Sequence, residues 1–369
     1  MRKILLSLAA LLVMSGVSSA DFVYSTSAGH LGTVKVAASF DIEAPSVKYT
    51  GNHSSPFLTS YWNGSGTSLA LIDRNAGTSG DMAYVFSPGG LENFTYSADI
   101  EGVYGTSAAG YAESGYSLFL TTGSMLYEVN VNSFSVMNSF DCTRIISDEV
   151  YPTEIESIAV DSSLIHIIAS AGNARRYMRF EGQLDDTKYS FLSADIPDGA
   201  SPILSISNSS LVAGHSYGVD ELSSRGIFYR IVSTDYPVKA LCRDSGSSFF
   251  YAEQRQSGDV YVNTVSHADN DTRFSPVTIT SSSPNIRLVR DNSRTEIFAA
   301  MTDEALRVFM YKDGLTYSAE YSASELGGTP AGIAAASVSG YDKNSNSSGC
   351  DVSGLGLVIL AGLFFMRRK

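Results

Sequence analysis

The feature that most constrains the fold is a repeated phrase, in which two short apolar strands flank a polar tip. Its clearest copies start at Ile155, Ile203, Val238 and Ile286, so successive starts lie 48, 35 and 48 residues apart. A third apolar run follows each phrase, for example at 260–265. Short strands that repeat with a period near 45 residues are typical of β-propeller blades, which have four strands each.

The rest of the chain agrees with an all-β fold. From residue 21 to about 340 there is no long amphipathic helical pattern, and short runs rich in β-branched and aromatic residues alternate with clusters of Gly, Ser, Asn and Asp. This is the pattern of short antiparallel strands joined by turns. Hydrophobic residues make up 44% and charged residues 17%, which excludes a disordered chain and a coiled coil.

The blade number follows from length. The 329 residues between the two chain ends, divided by a period of about 47, give seven blades. We predict blade boundaries near residues 57, 101, 155, 200, 237 and 284. Residues 331–337 should pair with the N-terminal strands around 22–36, which closes the ring without an open edge. The alternative is a pair of tandem β-sandwiches, because the spacing is loose and no Gly-His…Trp-Asp signature occurs; six or eight blades also fit.

The N-terminus, residues 1–20, has the three parts of a secretory signal peptide. Arg2 and Lys3 form a basic start, residues 4–14 are apolar, and small residues precede a cleavage point between Ala20 and Asp21. We therefore predict an exported protein whose propeller-like domain spans 21–340.

The C-terminus also has three parts. A Ser/Asn/Gly-rich linker, 341–349, leads into a tail, 350–369, in which Ser-Ser-Gly-Cys-Asp at 347–351 precedes an apolar stretch of 13 residues, 354–366. The chain ends with Arg367, Arg368 and Lys369. The stretch is short for a membrane span of about 20 residues, and its basic end fits the positive-inside rule.

This tail resembles a bacterial C-terminal protein-sorting signal of the Synergist-type CTERM class, and is similar to the GlyGly-CTERM and PEP-CTERM signals. The resemblance covers the last 23 residues and concerns sorting alone. It implies that Gly349, Cys350 and Asp351 form a motif read by a membrane-embedded sorting protease, which then delivers the protein to the cell surface or medium. The alternative is a plain C-terminal anchor that is never cut.

The net charge excludes one class of partner. The chain carries −13, and removing both ends, with five bases and one acid, leaves −17 on the mature part. An acidic protein is poorly suited to sequence-independent binding of nucleic acid.

One motif suggests hydrolytic chemistry. Gly214–Gly218 reads G-x-S-x-G with Ser216 at its centre, as in the nucleophile elbow of hydrolases. That motif needs a strand–turn–helix context, and here strand-like sequence lies on both sides, so we favour a loop between strands.

Other polar clusters give weaker signals. The oxygen-rich loop 267–271 departs from the calcium-loop pattern, and the five histidines show no zinc-binding spacing. Arg175, Arg176 and Arg179 could bind a carboxylate or a sugar, or could lie on an exposed edge strand. Trp62 could stack against a sugar or pack in the core or at its rim. At strand tips, Asp161, Asp244, Arg290 and Asp291 are candidates to converge on a channel.

Cys142 and Cys242 are the two cysteines of the mature domain. In an exported protein they are candidates for a disulfide, provided that their Cα atoms approach to within about 7 Å.

The sequence thus predicts an exported cell-surface or envelope binding or scaffold protein, without cofactor, catalytic site or metal site. Its partners would be signal peptidase, the sorting protease, the membrane through its tail, and an unknown surface ligand. The alternative is a periplasmic or surface propeller enzyme, such as a hydrolase, lactonase or quinone-dependent dehydrogenase. A third option is a passive surface-layer component.

Overall fold

The fold is a closed ring of seven four-stranded antiparallel sheets, a seven-bladed β-propeller. The structure is a computed structural model that describes residues 22–37, 41–53, 56–62, 67–112, 117–146, 150–161, 164–181, 184, 189–192, 196, 202–207, 210–222, 227–243, 248–255, 259–266, 277–279, 285–291, 297–312 and 315–336. The predicted fold class and blade number are confirmed, and the tandem-sandwich alternative is wrong.

Blade one combines both ends of the described chain. Its strands, from the channel outward, are β28 (Pro330–Ala335), β1 (Phe22–Thr26), β2 (Leu31–Val34) and β3 (Ser46–Tyr49). Phe22 lies opposite Ala335, and Tyr24 lies opposite Ile333. The predicted closure by N- and C-terminal strands is therefore confirmed.

The other six blades follow in chain order, each with its first strand beside the channel. Blades two to four comprise β4 (Pro56–Trp62), β5 (Thr67–Asp73), β6 (Gly80–Phe86), β7 (Tyr96–Glu101); β8 (Ala108–Ala112), β9 (Ser117–Thr122), β10 (Met125–Asn130), β11 (Val136–Asp141); and β12 (Thr153–Asp161), β13 (Leu164–Ala171), β14 (Ala174–Glu181), β15 (Tyr189–Leu192). Blades five to seven comprise β16 (Ile203–Ser207), β17 (Ser210–His215), β18 (Gly218–Leu222), β19 (Phe228–Ser233); β20 (Val238–Arg243), β21 (Ser248–Gln254), β22 (Val260–Ser266), β23 (Val277–Ile279); and β24 (Arg287–Arg290), β25 (Ile297–Met301), β26 (Ala305–Lys312), β27 (Leu315–Ser322). A 3₁₀ turn, Cys142–Arg144, follows β11.

The core is divided among the contacts between neighbouring blades. The described residues form seven apolar clusters, and each joins two consecutive blades around the ring. In β13, Ile165 and Ile167 pack toward blade three, whereas Ile168 packs toward blade five. Because successive side chains of a strand point to opposite faces, and both faces are covered, the middle strands read as continuous apolar runs.

The cysteine prediction needs correction. Cys142, which is buried, and Cys242, which is half-buried, form no disulfide with each other. Cys142 follows the last strand of blade three, and Cys242 lies in the inner strand of blade six. Blades that are not neighbours in the ring cannot bring two Cα atoms within disulfide distance.

Candidate functional site

The candidate site is the central channel. Residues of all seven inner strands border a cavity of about 580 Å³, which is within the usual size of small-ligand pockets. Its wall combines apolar side chains such as Phe57 and Ile203 with polar ones such as Thr59 and Ser60. Each blade adds one inner strand to the channel wall.

The channel has two distinct ends. Because every blade has the same strand order, the inner strands run in the same direction. We call the end where they begin the upper mouth and the end where they finish the lower mouth. Lys239 and Arg287 line the channel near the upper mouth, and Arg243 and Arg290 line it near the lower mouth.

These four cations belong to the inner strands of blades six and seven, β20 and β24. Among the residues that the structure describes, no carboxylate lies within 4 Å of any of the four charged groups. On a protein of net charge −13, the part of the channel wall formed by two of the seven inner strands is therefore strongly basic. A channel lined with one sign of charge concentrates ions of the opposite sign.

Arg287 is the most enclosed of the four. Its guanidinium carbon lies 5.7 Å from the ring centre of Phe57, a cation–π contact across the channel. Burial lowers the pKa of Arg287 below its ordinary value, and the charge of Arg74 lowers it further, whereas Asp303 acts in the opposite direction. Asp303 is itself held by the side-chain amide of Asn285 at 2.8 Å.

Glu156 is the one acidic residue among the described residues that line the channel. Its two carboxylate oxygens accept hydrogen bonds of 3.2 and 3.1 Å from Nε of Arg175. Each of these two side chains is 20% exposed. Because Glu156 already has a cation of its own, it does not compensate the four cations of blades six and seven.

A buried carboxylate shapes the upper mouth. Asp81 is fully buried, and its two oxygens accept hydrogen bonds from the backbone N–H groups of Asn75, Gly105 and Thr106 and from the Thr106 hydroxyl, all at 2.7–2.8 Å. Nε of Arg74 donates to the Thr106 carbonyl. Asp81 thus holds the loop that leads into β8. Through Thr106 it also holds Arg74, whose charge acts on Arg287.

Exposed tyrosine rings surround part of the upper mouth. Tyr104 precedes β8, Tyr151 precedes β12, and Tyr217 lies in the β17–β18 turn. Their exposures are 57%, 56% and 69%, respectively. The upper face therefore presents rings on blades three to five and cations on blades six and seven.

The G-x-S-x-G segment is a β-hairpin. Gly214 and His215 end β17, Ser216 and Tyr217 form the turn, and Gly218 begins β18. The residues after the serine continue as a strand, so the strand–turn–helix context of a nucleophile elbow is missing here. The interpretation as a loop between strands is confirmed.

Two histidines that the sequence left unassigned pair with buried aspartates. Nδ1 of His53 lies 2.9 Å from Asp73, and Nε2 of His215 lies 3.1 Å from Asp220. Nδ1 of His215 accepts the N–H of Tyr217 at 3.2 Å. Arg230 also bonds Asp220, so this pair fixes the turn that carries the exposed Tyr217 ring.

The strand-tip residues do not gather as a group. Arg290 lines the channel, but Asp291 is 1% exposed, with its N–H bonded to the Ile297 carbonyl at 3.0 Å. The side chain of Asp161 and the whole of Asp244 lie outside the described residues. Arg290 is therefore the one strand-tip candidate that the structure places at the channel.

The arginines of β14 do not act as one group. Arg175 binds the channel residue Glu156, whereas Arg179 pairs with Glu181 of its own strand at 3.0 Å. The expectation of an edge strand is wrong, because β14 pairs with both β13 and β15.

His166 is a satisfied core histidine, as its apolar surroundings predicted. It is 5% exposed, and its Nδ1 lies 2.6 Å from the Tyr177 hydroxyl. Burial, with a further contribution from the charge of Arg179, lowers the pKa of His166 to about 4.

We expect this histidine to make the fold sensitive to acid. Its folded pKa lies below the unfolded value of about 6.5, so its contribution is fully present above pH 6.5 and is lost as pH falls toward 4, up to about 3 kcal/mol. The variant His166→Gln should flatten the dependence of the melting temperature on pH between these values. Above pH 7 the two proteins should differ by a constant amount, and equal slopes in acid would contradict the assignment.

Several predicted features lie outside the described residues. They are the signal peptide with Ala20 and Asp21, the loop 267–271, and the whole tail with Gly349, Cys350, Asp351, Arg367, Arg368 and Lys369. The side chain of Trp62 is also outside. Within the described part of the chain, no three His, Cys, Asp or Glu side chains are grouped as metal ligands. There too, no helix has the length and hydrophobicity that a membrane crossing needs.

One signal of the basic wall lies in the repeated phrases themselves. Lys239, Arg243 and Arg287 interrupt the first strand of their phrases, where the copies at Ile155 and Ile203 carry small, apolar or acidic residues. Because first strands become inner strands, a cation in this position faces the channel.

Comparisons with known proteins bear on the fold. No protein-family profile and no curated protein matches the chain. Among solved structures, a protein from Lactobacillus plantarum has a TM-score of 0.60 at 11% identity, covering 85% of this chain and 98% of its own. A proposed 6-phosphogluconolactonase from Bacteroides fragilis has a TM-score of 0.57 at 9% identity, covering 85% and 96%. At such identities the similarity shows a shared propeller fold.

Proposed function

We propose that this protein is an exported binding module of the cell envelope that holds its ligand in the central channel. The observation that carries the proposal is the cavity of about 580 Å³ bordered by all seven inner strands. A ligand there would contact every blade at once, which favours recognition by a rigid, preformed site. The exposed tyrosines at the upper mouth add a surface that suits a ligand larger than the cavity.

Export is supported by the two chain ends. The signal peptide would be removed by signal peptidase after Ala20. The tail would hold the protein in the membrane until a sorting protease cuts near the Gly349–Cys350–Asp351 motif, with surface display or release as the result. The strongly acidic mature part, at −17, suits a soluble extracellular domain that repels anionic lipid.

The alternative is an enzyme. The fold is shared with a proposed lactonase, and a lactone with an anionic group would suit the cations of the channel. Opening of 6-phosphogluconolactone by the purified protein, and its loss in Arg287→Gln, would favour this alternative over a binding module.

Intact and native mass spectrometry of the protein recovered from surface, medium and membrane fractions of its native host tests the proposal. We expect a chain that begins at Asp21 and ends near Gly349, in the surface or medium fraction, with a non-covalently retained mass. The variant Thr59→Trp, which fills the channel from β4, should lose that mass and keep its melting temperature. A cytoplasmic chain that retains Met1 would overturn export, and equal retained mass in Thr59→Trp would overturn the channel as the site.

A further inference from the structure

Two of the four cations of blades six and seven, Arg287 and Arg290, are half-buried guanidinium groups, whereas Lys239 and Arg243 are exposed. A partly buried guanidinium without a carboxylate partner lowers the stability of a fold, because the desolvated charge is left uncompensated. The ring of Phe57 offsets part of this cost for Arg287. Nearby, Arg74 adds a second positive charge that acts on Arg287. A half-buried cation without a carboxylate partner, such as Arg287, is typical of a site prepared for an anion.

The acidic groups nearby do not remove this imbalance. Glu156 is bound to Arg175. The negative charge of Asp303 acts on Arg287 and offsets part of its charge, but the two residues form no ion pair. Among the described residues, the channel lining therefore carries four cations and one already paired carboxylate. The excess is positive inside a protein whose total charge is negative, so the remaining surface does not attract anions in the same way.

The cations lie at two levels along the channel. Arg287 and Arg290 are three residues apart on β24, which corresponds to about 10 Å along a strand. Lys239 and Arg243 are four residues apart on β20, or about 13 Å. The strands β20 and β24 are neighbours on the channel wall. Each level thus has one cation from each strand, and an elongated anion with a charged group at each end matches this spacing.

We propose that the channel binds an elongated oxyanion, with carboxylate or phosphate groups held by Lys239 and Arg287 at the upper mouth and by Arg243 and Arg290 at the lower mouth. This inference rests on the proposed function and specifies its ligand. Arginine suits both kinds of group, because its planar fork donates two parallel hydrogen bonds to a carboxylate or a phosphate. An acidic oligosaccharide and a linear oligophosphate share this chemistry.

Isothermal titration with three probes separates the sources and tests the length requirement. The probes are orthophosphate, a linear oligophosphate long enough to reach both levels, and an oligogalacturonate. We expect at least one extended probe to bind with an affinity that falls with added salt, and orthophosphate to bind about tenfold more weakly or worse. Binding of the oligophosphate would identify phosphate as the charged group of the ligand, and binding of the oligogalacturonate would identify carboxylate. Orthophosphate binding as tightly as both extended probes would overturn the two-level arrangement.

The variants Arg287→Gln and Arg290→Gln test one level each. Removing one partner of a close charge pair should weaken the extended probe about 30-fold or more. Lys48→Gln is the matched control, because Lys48 is an exposed cation on β3, the outermost strand of blade one, and it should change the affinity less than twofold. If all three variants weakened binding equally, the affinity would depend only on the total charge of the protein, and the proposed site would be overturned.

The melting temperature of the ligand-free protein provides a second readout. A structural role for Arg287 predicts that Arg287→Gln melts lower, whereas a binding role predicts an unchanged or higher melting temperature with weaker binding. The titrations and the retained mass together distinguish a wrong ligand class from a wrong site. If no anion binds but native protein still retains a mass that Thr59→Trp loses, the channel is a binding site for another class of ligand.

Discussion

A chain that ends at Thr329 is expected to lose cooperative unfolding, whereas a chain that ends at Ala336 keeps it. The difference is β28, the inner strand of blade one, which pairs with β1 along its whole length. Ile333 packs in the cluster between blades seven and one, and Ala334 packs in the cluster between blades one and two. Removing the strand exposes both contacts, opens the edge of β1 and removes one wall of the channel.

The size of this effect follows from what the strand buries. Loss of several backbone hydrogen bonds at about 1 kcal/mol each, together with the apolar area of two blade contacts, amounts to roughly 5 kcal/mol or more. That is comparable with the whole stability of a typical domain. Calorimetry and circular dichroism on both truncated chains measure it. A chain ending at Thr329 that melts cooperatively within about 5 °C of the longer chain would show that the ring does not depend on its closing strand.

The sequence predicted the ring because its repeat is local. The phrases at Ile155, Ile203, Val238 and Ile286 each begin within two residues of an inner strand. The predicted boundary near 101 lies earlier than the start of β8, at Ala108, because a loop fixed by a buried carboxylate separates the blades there. Strand period and turn composition carry this information, so the sequence favours seven blades, and the observed sheet topology decides between seven, six and eight.

The channel was harder to predict because it depends on contacts between distant segments. Arg287 meets the ring of Phe57 across more than two hundred residues of chain, and Glu156 meets Arg175 through the register of one blade. No local pattern states which cation has a partner. The candidate disulfide could not be judged from the sequence for the same reason. Cys142 and Cys242 lie in blades three and six, which do not contact each other.

The second large effect is expected at Asp81. Replacing it with Ala removes the acceptor for four hydrogen bonds, from the buried Thr106 and from the half-buried N–H groups of Asn75 and Gly105. Hydrogen bonds to a charged group contribute about 1.5–3 kcal/mol each, and an orphaned buried donor costs about as much. We expect Asp81→Ala to lower the free energy of unfolding by about 4 kcal/mol. Urea titration of the wild type and the variant measures the change.

Asp99 offers a matched control on the neighbouring strand β7. Its Oδ2 also accepts hydrogen bonds from the β5–β6 loop, from the N–H and hydroxyl of Thr78, but that contact is exposed. Asp99→Ala should therefore cost about 1 kcal/mol, because water can replace the lost acceptor. Similar losses for the two variants would mean that burial does not set the value of the Asp81 contacts.

The Asp81 network also connects stability to the candidate site. Arg74 donates to the Thr106 carbonyl, and its charge acts on Arg287. Loss of Asp81 frees the loop that orients Thr106 and thereby the position of Arg74 at the upper mouth. Under conditions where Asp81→Ala remains folded, we expect it to weaken binding of the extended anion, whereas Asp99→Ala should not. The same carboxylate would then hold the blade together and set the charge at the mouth of the channel.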